Sequence, residues 1–440
     1  MRQRLPKLLA LVAIILPVGL YVWAQNFTPP TTEVVRKLVN SHPSIGPIDF
    51  EKTILEDFSE LRPRVTNLAI ADLNQDGKND LLVCDAVRNT VWWAQRKTNG
   101  SWTREPLVPE NSIPAPCHVE LTDIDSDGDM DVVVAVLQSV WPTDVRLGQV
   151  VALINDGECN FERLLIAEDL RRVADVQPAD LDGDGDIDLA IAEFGYLHGR
   201  VLWLENLGGM QFADHTLLSK SGSIHVPVAD YDLDGDLDIA AVVSQDHEEV
   251  WVFENTGEGA QRFLPQVVWT TSNYDLGLAG MVKCDLDRDG DQDLLLSSGD
   301  NLELSSPCPQ PHHGCIWLEN VGALGFQPKQ VGKFPGTYAT AAADLDDDGD
   351  TDIVLASMFN DWKDSESQSL AWLENDGHQA FRIHAIASTP THLCTVTCGD
   401  LTGDGRTEIL AGSLHIFPPY SRTPTGLPMW QVGNRKVSSK

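Results

Sequence analysis

Apolar runs of about six residues, bounded by polar stretches rich in Asp, Gly and Asn, recur along most of the chain without a helical period. LAIAEF from Leu189 leaves one such polar stretch, and VLWLENLGG from Val201 follows after a short gap. Runs of this length between turn residues are strands. A unit of four strands can be read. The first approaches an acidic stretch, as in VQPAD ending at Asp180, and the second leaves it. The third carries an aromatic and ends in a turn: IWLENVG from Ile316 and AWLENDG from Ala371 are close copies, VALINDG from Val151 and VWVFENTG from Val250 looser ones. The fourth begins near Phe212, Phe263, Phe326 or Phe381. Seven such units predict an all-β fold, a seven-bladed β-propeller of four-stranded blades.

The phase of the repeat predicts how the ring closes. FEKTILEDF from Phe50 matches FERLLIAEDL from Phe161 and FRIHAIAST from Phe381, segments that end a repeat, so the chain begins with a last strand. At the other end EILAGSLHIF and PMWQVGN, around Trp430, supply second and third strands with no fourth. Pairing the N-terminal strand with the last blade removes two exposed sheet edges. The expected organisation is a signal peptide or signal anchor over 1–24, a linker over 25–48, the propeller over 49–435 and a tail over 436–440.

The acidic stretches are variants of DLDGDGDID, with first aspartates 51, 57, 50, 55, 59 and 56 residues apart. Carboxylates at positions one, three, five and nine, with a glycine at six for a sharp turn, gather the hard oxygen ligands that calcium takes. The predicted ligands are Asp72, Asn74, Asp76 and Asp80; Asp123, Asp125, Asp127 and Asp131; Asp180, Asp182, Asp184 and Asp188; Asp230, Asp232, Asp234 and Asp238; Asp285, Asp287, Asp289 and Asp293; Asp344, Asp346, Asp348 and Asp352; and Asp400, Asp404 and Glu408. Up to seven structural calcium ions are expected. The first loop departs from the pattern at Asn74 and Lys78, the last at Thr402, Arg406 and Glu408. Seven equivalent carboxylate clusters point to structural metal rather than to acid/base catalysis.

The repeated A-D-x-D-x-D-G-D-x-D followed by W-L-E-N-x-G resembles the FG-GAP/VCBS repeat family, whose members include the integrin alpha-subunit propeller and many secreted bacterial proteins. The resemblance covers residues 49–435 and implies calcium loops in the hairpins between first and second strands, on the lower face. Some fungal sugar dehydratases resemble the same family.

Net charge is −35, yet the seven loops hold 32 of the 66 acidic residues. The rest is still acidic, with no basic cluster, which excludes nucleic acid as a natural partner. Arg2, Arg4 and Lys7 precede an apolar run from Leu8 to Ala24, an export signal that is either cut or kept as an anchor. The expected location is extracytoplasmic, secreted or periplasmic, and the closed ring is expected to be a monomer. Cys308 and Cys315 bracket CPQPHHGC and are expected to pair as a disulfide; with His312 and His313 they also offer zinc ligand types.

Function is expected on the face opposite the calcium loops, where long second-to-third connections carry Trp141, Tyr196, His198, His247, His313, Trp362, His415 and Tyr420 as candidate ligand-binding residues. Along the first strands, the positions five before the loop include His118, Asp175 and His225, with Glu120 two further on. Near the central channel these four are candidates for a metal or acid/base site, or for hydrogen bonding within its wall. There is no GxSxG, no haem CxxCH and no separate catalytic domain. The leading reading is an exported, calcium-stabilised binding module for carbohydrate or protein. The alternatives are a carbohydrate-active lyase or dehydratase with a His-lined site, and a membrane-anchored surface scaffold.

Overall fold

A computed structural model describes residues 42–57, 62–257, 262–302, 308–418, 420 and 426–435. The expected leader or anchor and the tail lie outside them. The described residues form strands and no helix, in seven sheets that are antiparallel save for one short edge strand. Blade 1 comprises Val65–Ala71, Asp80–Asp85, Thr90–Arg96 and Trp102–Pro106. Blades 2 to 6 repeat this order, with inner strands at Pro116–Thr122, Val173–Ala179, Ser223–His225 with Val228–Ala229, Leu278–Cys284 and Thr337–Ala343. Blade 7 takes Leu393–Gly399, Glu408–Ser413 and Gly426–Arg435 from the end of the chain and Ile48–Asp57 from its beginning. That closing strand pairs antiparallel to Gly426–Arg435, from Ile48 opposite Arg435 to Asp57 opposite Gly426. Each inner strand touches the inner strands of both neighbouring blades, so the seven form one ring.

The propeller starts earlier than the repeat predicts. Ser44 and Ile45, expected in the linker, pair parallel with His384 and Ala385 and add a fifth strand to blade 6. Ile48 already belongs to the closing strand and is buried.

Hydrophobicity follows strand position. Second strands such as Asp131–Val136 and Asp352–Ser357 are buried at every residue, because one face meets the preceding blade and the other the next. Their sequences therefore read as continuous apolar runs. The core is accordingly divided into slabs between blades: Leu82, Cys84, Val132 and Val134 join blades 1 and 2, and Leu81, Val83, Leu410 and Met429 join blades 1 and 7.

The W-L-E-N-x-G signature now has a physical account. In blade 3, Trp203 stacks on His215 at 4.6 Å between ring centroids, and His215 reaches along the sheet to Glu205 at 2.7 Å. Blade 6 repeats this with Trp372, His384 and Glu374, and blade 5 substitutes Lys329 between Trp317 and Glu319. These are cross-strand pairs that fix the outer strand. The Asn side chain caps the following turn by accepting the Gly208, Gly322 or Gly377 N–H. Two of these asparagines also stitch blades together: Asn255 donates to the Leu181 carbonyl and Asn320 to that of Tyr231, both at 2.8 Å.

Candidate functional site

Each acidic loop is held by its own carboxylates. In all seven, position one accepts the N–H of the glycine at position six, at 2.7–3.2 Å. That glycine has φ between +81° and +103°, a region in which a side chain would be strained. Position five accepts the N–H of position seven, as in Asp127 with Asp129.

In five loops the carboxylates of positions one, three and five bring ligand oxygens within 4.8 Å of one another: Asp123, Asp125 and Asp127; Asp180, Asp182 and Asp184; Asp230, Asp232 and Asp234; Asp285, Asp287 and Asp289; Asp344, Asp346 and Asp348. Asp287 Oδ1 and Asp344 Oδ1 are buried with no hydrogen-bond partner, as oxygens awaiting a cation would be. These residues fit a metal ion. Position nine is more committed than expected. In blades 2 to 6 its Oδ2 accepts the position-two N–H at 2.9–3.2 Å. Its Oδ1 accepts the N–H of the asparagine that ends the third strand, at 2.6–2.8 Å. It is first a clip between loop and blade, and each oxygen has only its second lone pair left for an ion. Burial pushes the Asp238 and Asp352 carboxyls up to about 7 despite these amides.

The loops of blades 1 and 7 are outside this set. Lys78 Nζ lies 3.3 Å from Asp76 Oδ2, and an Arg406 nitrogen 3.1 Å from Asp404 Oδ2. A protein cation occupies the position-five carboxylate in both, at the two loops where the sequence departs from the pattern.

The channel is built by a device that the sequence does not announce. Every inner strand carries a register shift at the same place, between Val65 and Asn67 in blade 1, Pro116 and His118 in blade 2, and so on round to Leu393 and Thr395 in blade 7. Such a bulge sets two residues against one. Both residues of each bulge, from Thr66–Asn67 and Cys117–His118 round to Cys394–Thr395, line one cavity of about 410 Å³. The candidates His118, Glu120, Asp175 and His225 all line it.

They meet at Asp175, which is 1% exposed. Its Oδ1 lies 2.8 Å from His118 Nδ1 and accepts Gln177 Nε2 at 3.2 Å; its Oδ2 accepts the Val226 N–H at 2.8 Å and lies 3.5 Å from His225 Nδ1. His118 Nε2 is 3.7 Å from Glu120. The arrangement ties blades 2, 3 and 4, and its ligand atoms do not converge as those of the aspartate triplets do. Burial alone would lower the His118 pKa, but the Asp175 carboxylate, helped by Glu120, pushes it up to about 9. Burial would raise Asp175, and the two imidazoles hold it well below the usual carboxylate range.

Linkage gives the pH dependence. With a folded pKa above the unfolded value of about 6.5, His118 stabilises the fold fully below that value and loses the contribution as pH rises through about 9. The gap in urea midpoint between wild type and His118→Gln should be wide near about pH 6 and close by about pH 10. A gap that persists unchanged at high pH would show that the pair is not ionic.

Among the ligand-binding candidates, Trp141, Tyr196, His198 and His247 are exposed on the face opposite the acidic loops. His198 also pairs with Asp144 at 2.9 Å. Tyr420 is half-buried under Arg62, 3.6 Å from ring centre to guanidinium. Three candidates do not reach solvent. His313 is buried and its Nδ1 accepts the Gly336 N–H at 2.8 Å; Trp362 is buried and donates to the Met358 carbonyl; His415 is buried against His392. Their polar loops fold back and use these side chains as filling. The expected disulfide is also absent: Cys308 and Cys315 are free thiols. Cys315 lies in the strand Gly314–Asn320 and turns into the slab between blades 5 and 6 with Trp317, while Cys308 stays outside it. With His313 and Cys315 so engaged, no zinc site forms there.

FG-GAP-like repeats are matched at residues 72–134, 180–241, 230–296 and 344–411, more than half of the chain. Two solved structures of BBS1N in complex with ARL6DN, one soaked with lead and one with mercury, have a similar fold. Their TM-scores are 0.53 and 0.52 at 10% and 11% identity, over 90% and 89% of this chain and 100% and 99% of theirs. At this identity the likeness is one of fold. No curated protein matches in sequence. Seven blades, each turning on the same acidic hairpin and matched over most of that repeat, make this chain a member of the FG-GAP-like repeat family.

Proposed function

We propose that the protein is an exported, calcium-stabilised binding module whose ligand enters the channel from the face opposite the acidic loops. The observation that carries this reading is the cavity of about 410 Å³ lined by two bulge residues from every inner strand. It lies in the size range of small-molecule sites, which favours a carbohydrate-sized ligand over a protein surface. The basic and apolar N-terminal segment supports export.

Calcium is the ion best suited to three convergent carboxylates with further oxygens from a flexible loop. The expected result of metal analysis is about five calcium ions per chain, from the five aspartate triplets. Chelation should lower the melting temperature strongly, since each site filled at about 100 times its Kd adds about 2.7 kcal/mol. Seven bound ions, or a melting temperature indifferent to chelation, would remove the assignment. For the ligand, glycan arrays probed with the calcium-loaded protein are the direct test, and no binding by folded protein would sink it.

An enzymatic reading needs a base, and the wall offers a poor one. Asp175 keeps His118 as an imidazolium at neutral pH, and burial followed by Asp175 pushes the Cys117 thiol up to about 12. A positioned, ionised wall suits recognition better than proton abstraction.

A further inference from the structure

Consecutive arginines open the inner strand of blade 3 and have opposite fates. Arg171 is compensated: its Nε lies 3.4 Å from Asp144 and one terminal nitrogen 3.4 Å from Glu193. Arg172, 8% exposed, makes no such ion pair among the described residues. Its Nε is buried without a hydrogen bond, and its guanidinium lies over the Phe194 ring at 4.5 Å. Asp144, the nearby carboxylate, is engaged with Arg171 and His198. Arg172 also lines the channel cavity, at the end formed by Leu137, Val140, Leu302 and Ile416, with Tyr338 beside it. A buried cation without a counter-charge is strongly unfavourable, and an anionic group on a ligand would compensate it.

We infer that Arg172 is the recognition residue of the channel cavity and that the ligand presents a carboxylate to it. This rests on the reading of the cavity as a binding site and names the chemistry it selects. One guanidinium neutralises one negative charge and matches a carboxylate with two parallel hydrogen bonds. A doubly charged phosphate would bring its second charge near Asp300, Glu120 and Asp175, which line the same cavity, while Lys283, also in the wall, is already engaged by the Val228 carbonyl and Glu120. Phe194 lies against the guanidinium, and this end of the cavity joins the apolar Leu137, Val140, Leu302 and Ile416 to the Tyr338 hydroxyl and to Asp300, which accepts the Leu302 N–H. Deeper in the cavity lie His118, Asn67 and Thr395. The body of the ligand thus rests either on the apolar end or among the polar groups below, and the carboxylate is common to both.

The test is calorimetric titration of the calcium-loaded full-length protein with benzoate, glucuronate, inorganic phosphate and glucose, in wild type and in Arg172→Gln, Arg172→Lys and Arg172→Met. One carboxylate should bind per chain, weakened about 10- to 100-fold by Arg172→Gln and less by Arg172→Lys. Preference for benzoate places the ligand body on the apolar end, and preference for glucuronate places it among the polar groups. Without ligand, Arg172→Met should raise the melting temperature, because it removes an uncompensated buried charge. A fall would assign Arg172 a structural role and overturn the inference, as would phosphate binding better than either carboxylate, or carboxylate binding that Arg172→Gln leaves unchanged. If glucose binds and no carboxylate does at about 10 mM, the inference fails while the binding-module reading stands. If nothing binds here or on the arrays, both fail.

Discussion

Asp175→Ala is expected to cost about 3–5 kcal/mol, a large share of the stability of a typical domain. The carboxylate joins three blades: it pairs ionically with His118 of blade 2 and His225 of blade 4, and accepts from Gln177 of its own strand and from the Val226 N–H of blade 4. Its removal leaves the His118 imidazolium buried beside Glu120 alone and orphans a buried backbone donor, and each of these is unfavourable. Asp175→Asn keeps the volume but not the charge, and it turns two of its own donors toward groups that also donate. It should therefore recover little of the loss at neutral pH. Urea unfolding at constant calcium measures both. A loss below about 1 kcal/mol for Asp175→Ala would mean that the blades are not joined through this carboxylate.

The second large effect is expected from deleting residues 42–57. Such a chain should yield no soluble monomer. The strand Ile48–Asp57 covers the outer edge of Gly426–Arg435 and fills two slabs at once: Ile48 and Phe50 pack with Trp372 and Trp430 between blades 6 and 7, and Leu55 packs between blades 7 and 1. Lys52 crosses the Trp430 ring at 5.6 Å. Without the strand, a row of unpaired backbone groups and both slabs open to water, an invitation to edge-to-edge association. The milder Ile48→Ala should cost about 2–5 kcal/mol and leave the ring closed. Gel filtration and circular dichroism separate the outcomes. A deletion variant that remains monomeric with the wild-type melting temperature would show that closure does not depend on this strand.

Much of this architecture was legible because it is written in strict repetition. The spacing of the acidic hairpins gave the blade count, and the Phe50 segment, out of phase at the start, announced the closing strand. Lys78 and Arg406 marked in advance the two loops where a protein cation lies against a ligand carboxylate. Less could be read where a side chain's direction depends on the tertiary fold. Trp362, His313 and His415 sit in polar connections and look exposed, yet the connections turn them inward. The bulge in each inner strand has no residue signature: Thr66, Cys117, Ala174, Ile224, Ala279, Tyr338 and Cys394 share its first position and share no chemistry. Counting five residues back from each loop singles out His118, Asp175 and His225 and passes over their bulge neighbours. Arg172 carries no such signal because it precedes the strand, and because the lack of an ion-pair partner is visible only in three dimensions.

The two loops with built-in cations are neighbours in the ring. Asn79 of the first donates to the Asp400 carbonyl of the last at 2.8 Å, and Arg96 reaches the Thr402 carbonyl. They flank the seam where the two ends of the chain meet. The divalent ions expected of the other five loops are thus confined to an uninterrupted arc, blades 2 to 6, whose residues are contiguous in the sequence. This divides the ring into two parts. On the proposed reading the seam rests on strand pairing and resident Lys and Arg and needs no divalent ion. Only the arc would then answer to divalent ions, so chelation should loosen blades 2 to 6 and leave the junction of the two chain ends closed.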